Sequence, residues 1–270
     1  MMNKKRLIYT LMSAVMFISG GILLFYFFWA NGYFAPPKEV PVQTYEQFTY
    51  PSLPSEIEPS VIVTETIDPN MENKEGQIKN PVNFDELKKT NPDIIGWFYM
   101  TSPYVSQPIL MKKGNDAFYL SHDATGAYAK NGSLFVEYTY NKDPFNDPVT
   151  MIYGHRQSDG AMFGNLETTI NEIDISADPQ YIVIYLPNST KIYHIVATIC
   201  HNNTHILHYN NFSKKSDWDK FFNNAYKQSG KGVQLVEGEK PQYGDNVLIL
   251  SACLRTDRTK RFLVIAKELT

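Results

Sequence analysis

Two consecutive apolar, β-branched runs near the carboxyl terminus constrain the fold of this chain more than any other stretch. Residues 247–253 read Val-Leu-Ile-Leu-Ser-Ala-Cys, residues 261–266 read Arg-Phe-Leu-Val-Ile-Ala, and a polar segment at 254–260 separates them. Such runs predict two buried strands joined as an antiparallel hairpin. Residues that close a hairpin loop face each other across the ladder, roughly 5 Å apart at Cα, so Cys253 should face Arg261. A guanidinium there would stabilise a thiolate, although a core cysteine beside a surface arginine gives the same pattern.

The amino terminus predicts a membrane anchor. Lys4, Lys5 and Arg6 precede a run from Leu7 to Trp29 that contains no charged residue. At about 1.5 Å per residue the run extends about 34 Å, which is enough to cross a hydrocarbon core of about 30 Å. It also exceeds the roughly 7–15 apolar residues of a cleaved signal peptide. The basic cluster predicts that residues 1–30 form a cytoplasmic tip and an anchor in the cell membrane, with the rest of the chain outside the cell.

The remaining chain divides into a stalk and one globular domain. Residues 31–79 are rich in proline, glutamate, threonine and serine without a periodic apolar pattern, which predicts an extended extracellular stalk. Residues 80–270 have an ordinary length for a single domain. The net charge of −3 argues against a nucleic-acid partner, and two cysteines, Cys200 and Cys253, are too few for a disulfide scaffold.

Many short strands separated by glycine, proline and asparagine predict that the domain is mainly β, a barrel or a sandwich. The predicted strands are residues 94–100, 104–110, 133–138, 149–153, 181–186, 192–200, 247–253 and 262–267. A short amphipathic helix is predicted at 84–89. One long helix, capped by Ser216 and running through Gln228, is predicted between the strand that ends at Cys200 and the strand that carries Cys253.

His155 is the candidate catalytic base. It comes directly after a predicted buried strand and a glycine, at the start of a loop. A rigid strand end that releases a side chain into a cleft is a common position for a general base. The Asp-Gly pair at 159–160 predicts a tight turn, and Met162 and Phe163 should return the loop to the body of the domain. A loop histidine without a role would have the same pattern.

Three further histidines, His201, His205 and His208, are spaced as in some zinc sites. The asparagines at 202–203 disfavour the helix that would align them, and no carboxylate joins them in the sequence. We therefore expect no metal, and no other feature of the sequence predicts a cofactor.

Three arginines compete for the position beside Cys253. Arg261 begins a strand, so the ladder fixes its Cα, whereas Arg255 and Arg258 lie in the polar loop. Asp257 lies between the two loop arginines, where it is expected to form a solvated ion pair rather than to orient His155.

Taken together, these motifs resemble those of the class B sortases. Tyr-Gly-His155, Met-Phe-Gly-Asn-Leu at 162–166, the strand end Leu-Ser-x-Cys253 and then Arg261 follow the order of that family. The helix before the Cys253 strand resembles the class B subgroup in particular, as do Asn-Asp-Ala-Phe-Tyr-Leu at 115–120 and Asn-Gly-Ser-Leu-Phe at 131–135. The resemblance covers residues 80–270 and implies a sortase-like β-barrel of about eight strands with a few peripheral helices.

The resemblance implies a cysteine transpeptidase that we expect to be a monomer. Cys253 would attack the carbonyl of a threonine in the sorting signal of a surface protein, Arg261 would stabilise the oxyanion, and His155 would protonate the leaving amine. An amine of a peptidoglycan precursor would then resolve the thioacyl enzyme, which joins the surface protein to the wall of a Gram-positive cell. Ser251 lies in phase with Cys253 along the strand and is the first candidate for the substrate groove, with Tyr209 the second.

One stretch departs from the family. The usual Thr-Leu-x-Thr-Cys is Ile-Leu-Ser-Ala-Cys at 249–253, so both threonines are absent, and with them a hydroxyl that helps to fix the local structure. Three other functions stay open on the sequence: a pilin-polymerising sortase that uses a pilin lysine, a thiol hydrolase resolved by water, and a non-enzymatic membrane-tethered binding module. In the last of these, Cys200 and Cys253 would form a disulfide.

Overall fold

The structure is a computed structural model that describes residues 80–257 and 259–269. The predicted anchor at 1–30 and stalk at 31–79 lie outside these residues, as does Arg258, and they stay predictions. None of the helices in the described part of the chain is both long and apolar enough to cross a bilayer.

One sheet of nine strands organises the described residues. The strands are β1 (Ile94–Thr101), β2 (Tyr104–Leu110), β3 (Leu134–Phe135), β4 (Val149–Tyr153), β5 (Tyr181–Leu186), β6 (Ser189–Asn202), β7 (Gln234–Leu235), β8 (Val247–Cys253) and β9 (Lys260–Glu268). Their order is β5-β1-β2-β3-β4-β8-β9-β6-β7, and β5 also pairs with β6. That pairing closes eight strands into a barrel and leaves β7 as an addition on β6. The predicted barrel of about eight strands is confirmed.

The helices lie around this barrel. They are α1 (Phe84–Thr90), α2 (Leu166–Glu172), α3 (Ile206–Tyr209) and α4 (Lys215–Ala225), with a 3₁₀ turn at Phe118–Leu120. Helix α4 is the predicted long helix, and its buried residues are those predicted for its apolar side: Trp218, Phe221, Phe222 and Ala225. The predicted ends were wrong. Ser216 lies inside the helix, Lys214 occupies the N-cap position without a side-chain hydrogen bond, and the helix ends before Gln228.

The predicted strands agree with the structure where an apolar run is long, and they differ where pairing decides. Strands β2, β4, β5 and β8 have the predicted bounds. Strand β3 has only two residues, because the backbone turns after Val136 and the carbonyl of Glu137 accepts hydrogen bonds from Tyr140 and Asn141. Strand β6 is longer than predicted and continues past Cys200, because β9 pairs with it as far as Asn202.

Two hydrophobic clusters lie on opposite faces of the sheet. Along β8, Leu248, Leu250 and Ala252 belong to the cluster inside the barrel. Val247 and Ile249 belong to the second cluster, where α4 covers the outer face of the sheet. Because side chains alternate along a strand, Ser251 and Cys253 continue the outer row beyond the part that α4 covers. The barrel therefore presents the end of β8 on its outer surface.

Candidate functional site

The register of three strands places Cys253, Arg261 and His201 in one row. Cys253 is paired with Arg261 in the antiparallel β8–β9 ladder, and Arg261 is paired with His201 in the β9–β6 ladder. Paired residues point to the same face of a sheet, so the three side chains share the outer surface of the barrel. The predicted pairing of Cys253 with Arg261 is confirmed.

A groove with a volume of about 280 Å³ runs over this row. Its residues come from five regions of the chain: position 120 and positions 135–137, 151–155, 201–206 and 251–261. They are Leu120, Phe135, Glu137, Met151, Tyr153, Gly154, His155, His201, Asn203, Thr204, His205, Ile206, Ser251, Ala252, Cys253 and Arg261. The groove therefore brings together the predicted nucleophile, base, cation and first substrate residue: Cys253, His155, Arg261 and Ser251.

His155 leaves the end of β4 through a glycine that tolerates no side chain. A Cβ on Gly154 would lie 2.5 Å from the ring of Phe163 and 2.7 Å from the side chain of Leu134. The backbone at Gly154 therefore packs closely against the buried Phe163, and the next residue, His155, lines the groove. The predicted return of the loop through Met162 and Phe163 is confirmed, since both side chains are buried.

A backbone carbonyl orients the imidazole of His155. Its Nε2 lies 2.9 Å from the carbonyl oxygen of Leu120. A carbonyl only accepts hydrogen bonds, so Nε2 must carry the proton in this contact. Nδ1 is then the nitrogen that can exchange a proton with a substrate, and Leu120 fixes the tautomer in the way that a carboxylate does in other sites.

Asp257 and Arg255, in the loop between β8 and β9, both contact residues other than His155. Asp257 accepts hydrogen bonds from Thr259, and its carboxylate lies 3.6 Å from Nζ of Lys260. Its expected ion pair is present, although with Lys260. The backbone N–H of Arg255 donates to Glu167 at 2.6 Å, and its guanidinium lies 3.4 Å from Oγ1 of Thr168.

Arg261 is partly buried. Its Nη1 donates to the carbonyl of Lys260 at 3.1 Å, and its side chain lines the groove. The guanidinium is therefore held at a position from which it can reach a substrate bound beside Cys253.

The two candidate substrate residues lie in different places. Ser251 is buried at the base of the groove, two residues before Cys253 on the same face. Tyr209 is exposed and lines a neighbouring hollow of about 210 Å³ between β6, α3 and α4, which shares only His201 with the groove. The structure therefore brings Ser251 to the site and leaves Tyr209 outside the groove.

The alanine that replaces the family's threonine packs inward. Ala252 belongs to the cluster inside the barrel and is 2% exposed. Its side chain therefore packs against the core, so the replacement acts on the packing beneath Cys253 and leaves the outer row of side chains unchanged.

The histidine group has a carboxylate partner that the sequence did not suggest. Nε2 of His205 lies 3.1 Å and 2.9 Å from the two carboxylate oxygens of Glu137, which is 68 residues away in the chain. Among the described residues, no group of three histidine, cysteine, aspartate or glutamate side chains is arranged to hold a metal ion. Alternation along a single strand was enough to place Ser251 beside Cys253. It could not place Glu137, because the position of Glu137 depends on where β3 ends.

Cys200 differs from Cys253 in its surroundings. Both thiols are free, but Cys200 packs against the cluster inside the barrel, whereas Cys253 lies on the outer face. Burial, and then the charge of Glu167, raises the pKa of the Cys200 thiol. Strand β9 separates the two cysteines, so about two strand spacings of about 4.8 Å exceed the Cα separation of about 7 Å that a disulfide spans. The alternative with a Cys200–Cys253 disulfide is therefore wrong.

Known proteins with similar sequences and folds indicate the family that this chain resembles. No family model matches the chain. The chain is 28% identical over 200 residues to sortase B of Listeria monocytogenes. The aligned region covers 73% of this chain and 77% of the relative. The chain is 26% identical over 188 residues to sortase B of Staphylococcus aureus, covering 68% of this chain and 73% of the relative. The X-ray structure of Clostridium perfringens sortase B matches with a TM-score of 0.59 and 26% identity, covering 70% of this chain and 100% of that structure. The predicted resemblance is confirmed.

Proposed function

We propose that this chain carries out cysteine transpeptidation, since it is a class B sortase-type enzyme by sequence and fold. In this proposal Cys253 is the nucleophile, His155 is the acid and base, and Arg261 is the oxyanion donor. The observation that carries the proposal is the strand register that places Cys253 opposite Arg261, on a groove that His155 also lines. A nucleophile, a proton carrier and a fixed cation on one groove are the groups that acyl transfer through a thioester requires.

In the first half of the reaction, the Cys253 thiolate attacks the carbonyl carbon of a threonine in the sorting signal. The developing oxyanion lies beside the guanidinium of Arg261, which β9 holds in place before the charge forms. As the carbon–nitrogen bond breaks, the His155 imidazolium transfers the Nδ1 proton to the leaving amine. The products are a thioacyl enzyme, the released carboxyl-terminal peptide and a neutral His155.

In the second half, an amine attacks the thioester carbonyl. Nδ1 of His155 accepts a proton from the attacking nitrogen, while the Leu120 carbonyl keeps the Nε2 proton in place. A carbon–nitrogen bond forms, the carbon–sulfur bond breaks, and the Cys253 thiolate returns together with the His155 imidazolium. The amine belongs to a peptidoglycan precursor in this proposal, so the surface protein becomes covalently joined to the cell wall.

The proposed location is the outer surface of the cell membrane. The apolar run from Leu7 to Trp29, with Lys4, Lys5 and Arg6 before it, supports a single-pass anchor with the catalytic domain outside. Protease added to intact protoplasts should then release the domain. A domain that survives this treatment, but is digested after lysis, would mean that the orientation is wrong.

Mass spectrometry of the full chain with a panel of sorting peptides tests the chemistry. We expect an acyl adduct on Cys253 in the wild type, none in Cys253→Ala, and transfer to an added amine such as a peptidoglycan stem peptide. Transfer to a lysine of a pilin peptide alone would favour a pilin polymerase, and release by water at the same rate with and without amine would favour a hydrolase. An adduct on Cys200 in place of Cys253 would refute the proposed nucleophile.

A further inference from the structure

A hydrogen bond between two partly buried side chains, Glu137 and His205, links two segments of the chain at the wall of the groove. Glu137 lies just after β3, and His205 lies between β6 and α3. Nε2 of His205 donates to Oε1 of Glu137 at 3.1 Å and lies 2.9 Å from Oε2. The side chains are only 15% and 34% exposed, so solvent screens their interaction less than that of a surface pair.

The second nitrogen of His205 has a separate structural task. Nδ1 of His205 accepts a hydrogen bond from the backbone N–H of His208 at 3.1 Å, which makes His205 the N-cap of α3. A nitrogen that accepts carries no proton, so the proton of the neutral ring must be on Nε2, where it faces Glu137. The cap and the hydrogen bond to Glu137 therefore require the same tautomer, and each supports the other.

The rings of Tyr140 and Tyr153 lie close to the ring of His205. The ring of Tyr140 lies 4.6 Å from that of His205, and its hydroxyl lies 3.2 Å from Nδ1 of His208. The Tyr153 ring stacks on Phe135 at 5.3 Å. Burial, followed by the nearby Glu137 carboxylate, raises the pKa of Tyr153. The pair is therefore part of a packed cluster rather than a chance meeting of two surface side chains.

The pair lies in the wall of the groove that residues 203–206 form. Asn203, Thr204 and Ile206 line the groove together with His205 and belong to the same connection. They lie outside the strands that carry Cys253 and Arg261, and this connection touches the β3–β4 segment through the Glu137–His205 contact. The position of this wall relative to Cys253 thus depends on a contact that takes no part in bond breaking.

We propose that Glu137 and His205 are positioning residues that set the 203–206 wall of the groove for the sorting peptide. This proposal rests on the proposed function, because it assigns the groove to that peptide. An interaction made equally in the bound substrate and in the transition state changes KM and leaves kcat unchanged. Loss of the pair should therefore weaken peptide binding without slowing the chemistry at Cys253.

Three variants of the full chain, assayed with the same panel of sorting peptides, separate the pair from the cap. Glu137→Ala should raise KM about ten-fold, the lower end of what hydrogen bonds to charged groups contribute, because His205 is one third exposed. Glu137→Gln keeps an acceptor and should stay close to the wild type. His205→Asn keeps an N-cap oxygen but is too short to reach Glu137, so it should raise KM like Glu137→Ala.

The coupling of the two residues supplies a further measurement. The double variant Glu137→Ala with His205→Asn should be no worse than either single variant, because both remove one interaction. Alkylation of Cys253 by iodoacetamide should proceed at the wild-type rate in all of them. Asp219→Ala is the matched control, since it breaks an exposed ion pair with Lys215 on α4, away from the groove, and should leave KM unchanged.

The outcomes distinguish this proposal from the one on which it rests. If iodoacetamide alkylates Cys253 of the wild type but no peptide forms an acyl adduct, the proposed function is overturned, and the positioning role with it. A wild type that turns over, with an unchanged KM in Glu137→Ala and His205→Asn, overturns the positioning role alone. A fall in kcat and in the alkylation rate, together with a lower melting temperature in Glu137→Gln, would mean that the pair serves the fold and not the peptide.

Discussion

Replacement of Arg261 by lysine should reduce turnover severely although the positive charge is kept. The Cα of Arg261 is fixed by two ladders, against Cys253 on one side and His201 on the other, and Nη1 is held by the carbonyl of Lys260 at 3.1 Å. The planar guanidinium keeps further N–H donors while one is engaged in this way. A lysine has a flexible stem and a single ammonium, so it loses this orientation before the oxyanion forms.

The magnitude follows from the donor's role and its exposure. Loss of an oxyanion donor typically reduces kcat about 100- to 1000-fold. Arg261 is partly exposed on an open groove, so solvent weakens its contribution and we expect the lower end, about 100-fold or ~2.7 kcal/mol in the activation free energy. Both Arg261→Ala and Arg261→Lys should show this loss while the domain keeps its melting temperature.

The assay is the rate of acyl-enzyme formation on Cys253, followed by intact mass with a sorting peptide. Arg255→Ala is the matched control, because Arg255 contacts Glu167 and Thr168 instead of the groove, and it should stay within a few-fold of the wild type. Arg258, which lies outside the described residues, is predicted to behave like Arg255. Normal turnover by Arg261→Ala would refute the assignment of the donor. If Arg258→Ala were inactive at the same time, Arg258 would be the donor instead.

Three further outcomes follow from burial. Cys200→Ala should keep most of the transpeptidation rate. Iodoacetamide should label Cys200 far more slowly than Cys253, because burial raises the pKa of the Cys200 thiol. Equal loss of activity in Cys200→Ala and Cys253→Ala would contradict this expectation. Burial lowers the pKa of His194, so the folded state binds that proton less readily than the unfolded chain, whose histidine titrates near about pH 6.5. The free energy of unfolding should therefore fall as the pH drops below that value, and His194→Gln should flatten this dependence in urea titrations. Gly154→Ala should destabilise the domain by about 1–3 kcal/mol in the same titrations, because the new Cβ meets the Phe163 ring; unchanged stability would mean that this ring can move aside.

The sequence by itself determined the strands that are long and continuously apolar, and through them the centre of the site. Such a run is buried whatever its neighbours are, so β4, β5 and β8 could be bounded without knowledge of the tertiary structure. The facing of Cys253 and Arg261 followed because a hairpin is local, and its loop limits the register of its own strands. Ser251 followed from the alternation of side chains along one strand.

Elements whose ends depend on distant partners could not be predicted in this way. Strand β6 continues to Asn202 only because β9 extends beside it, and β3 stops at Phe135 because the next residues turn. Helix α3 contains only four residues and has a histidine N-cap, a signal too weak and too short to be recognised in sequence.

Only the tertiary structure decided which loops meet at the groove. The Leu120 carbonyl that orients His155 is 35 residues from it, and Glu137 is 68 residues from His205. Tyr209 was the second candidate after Ser251 in the sequence, and the structure places it on the neighbouring hollow. The physical reason is that hydrophobic periodicity reports burial along one element, whereas contacts between loops depend on how the whole barrel closes.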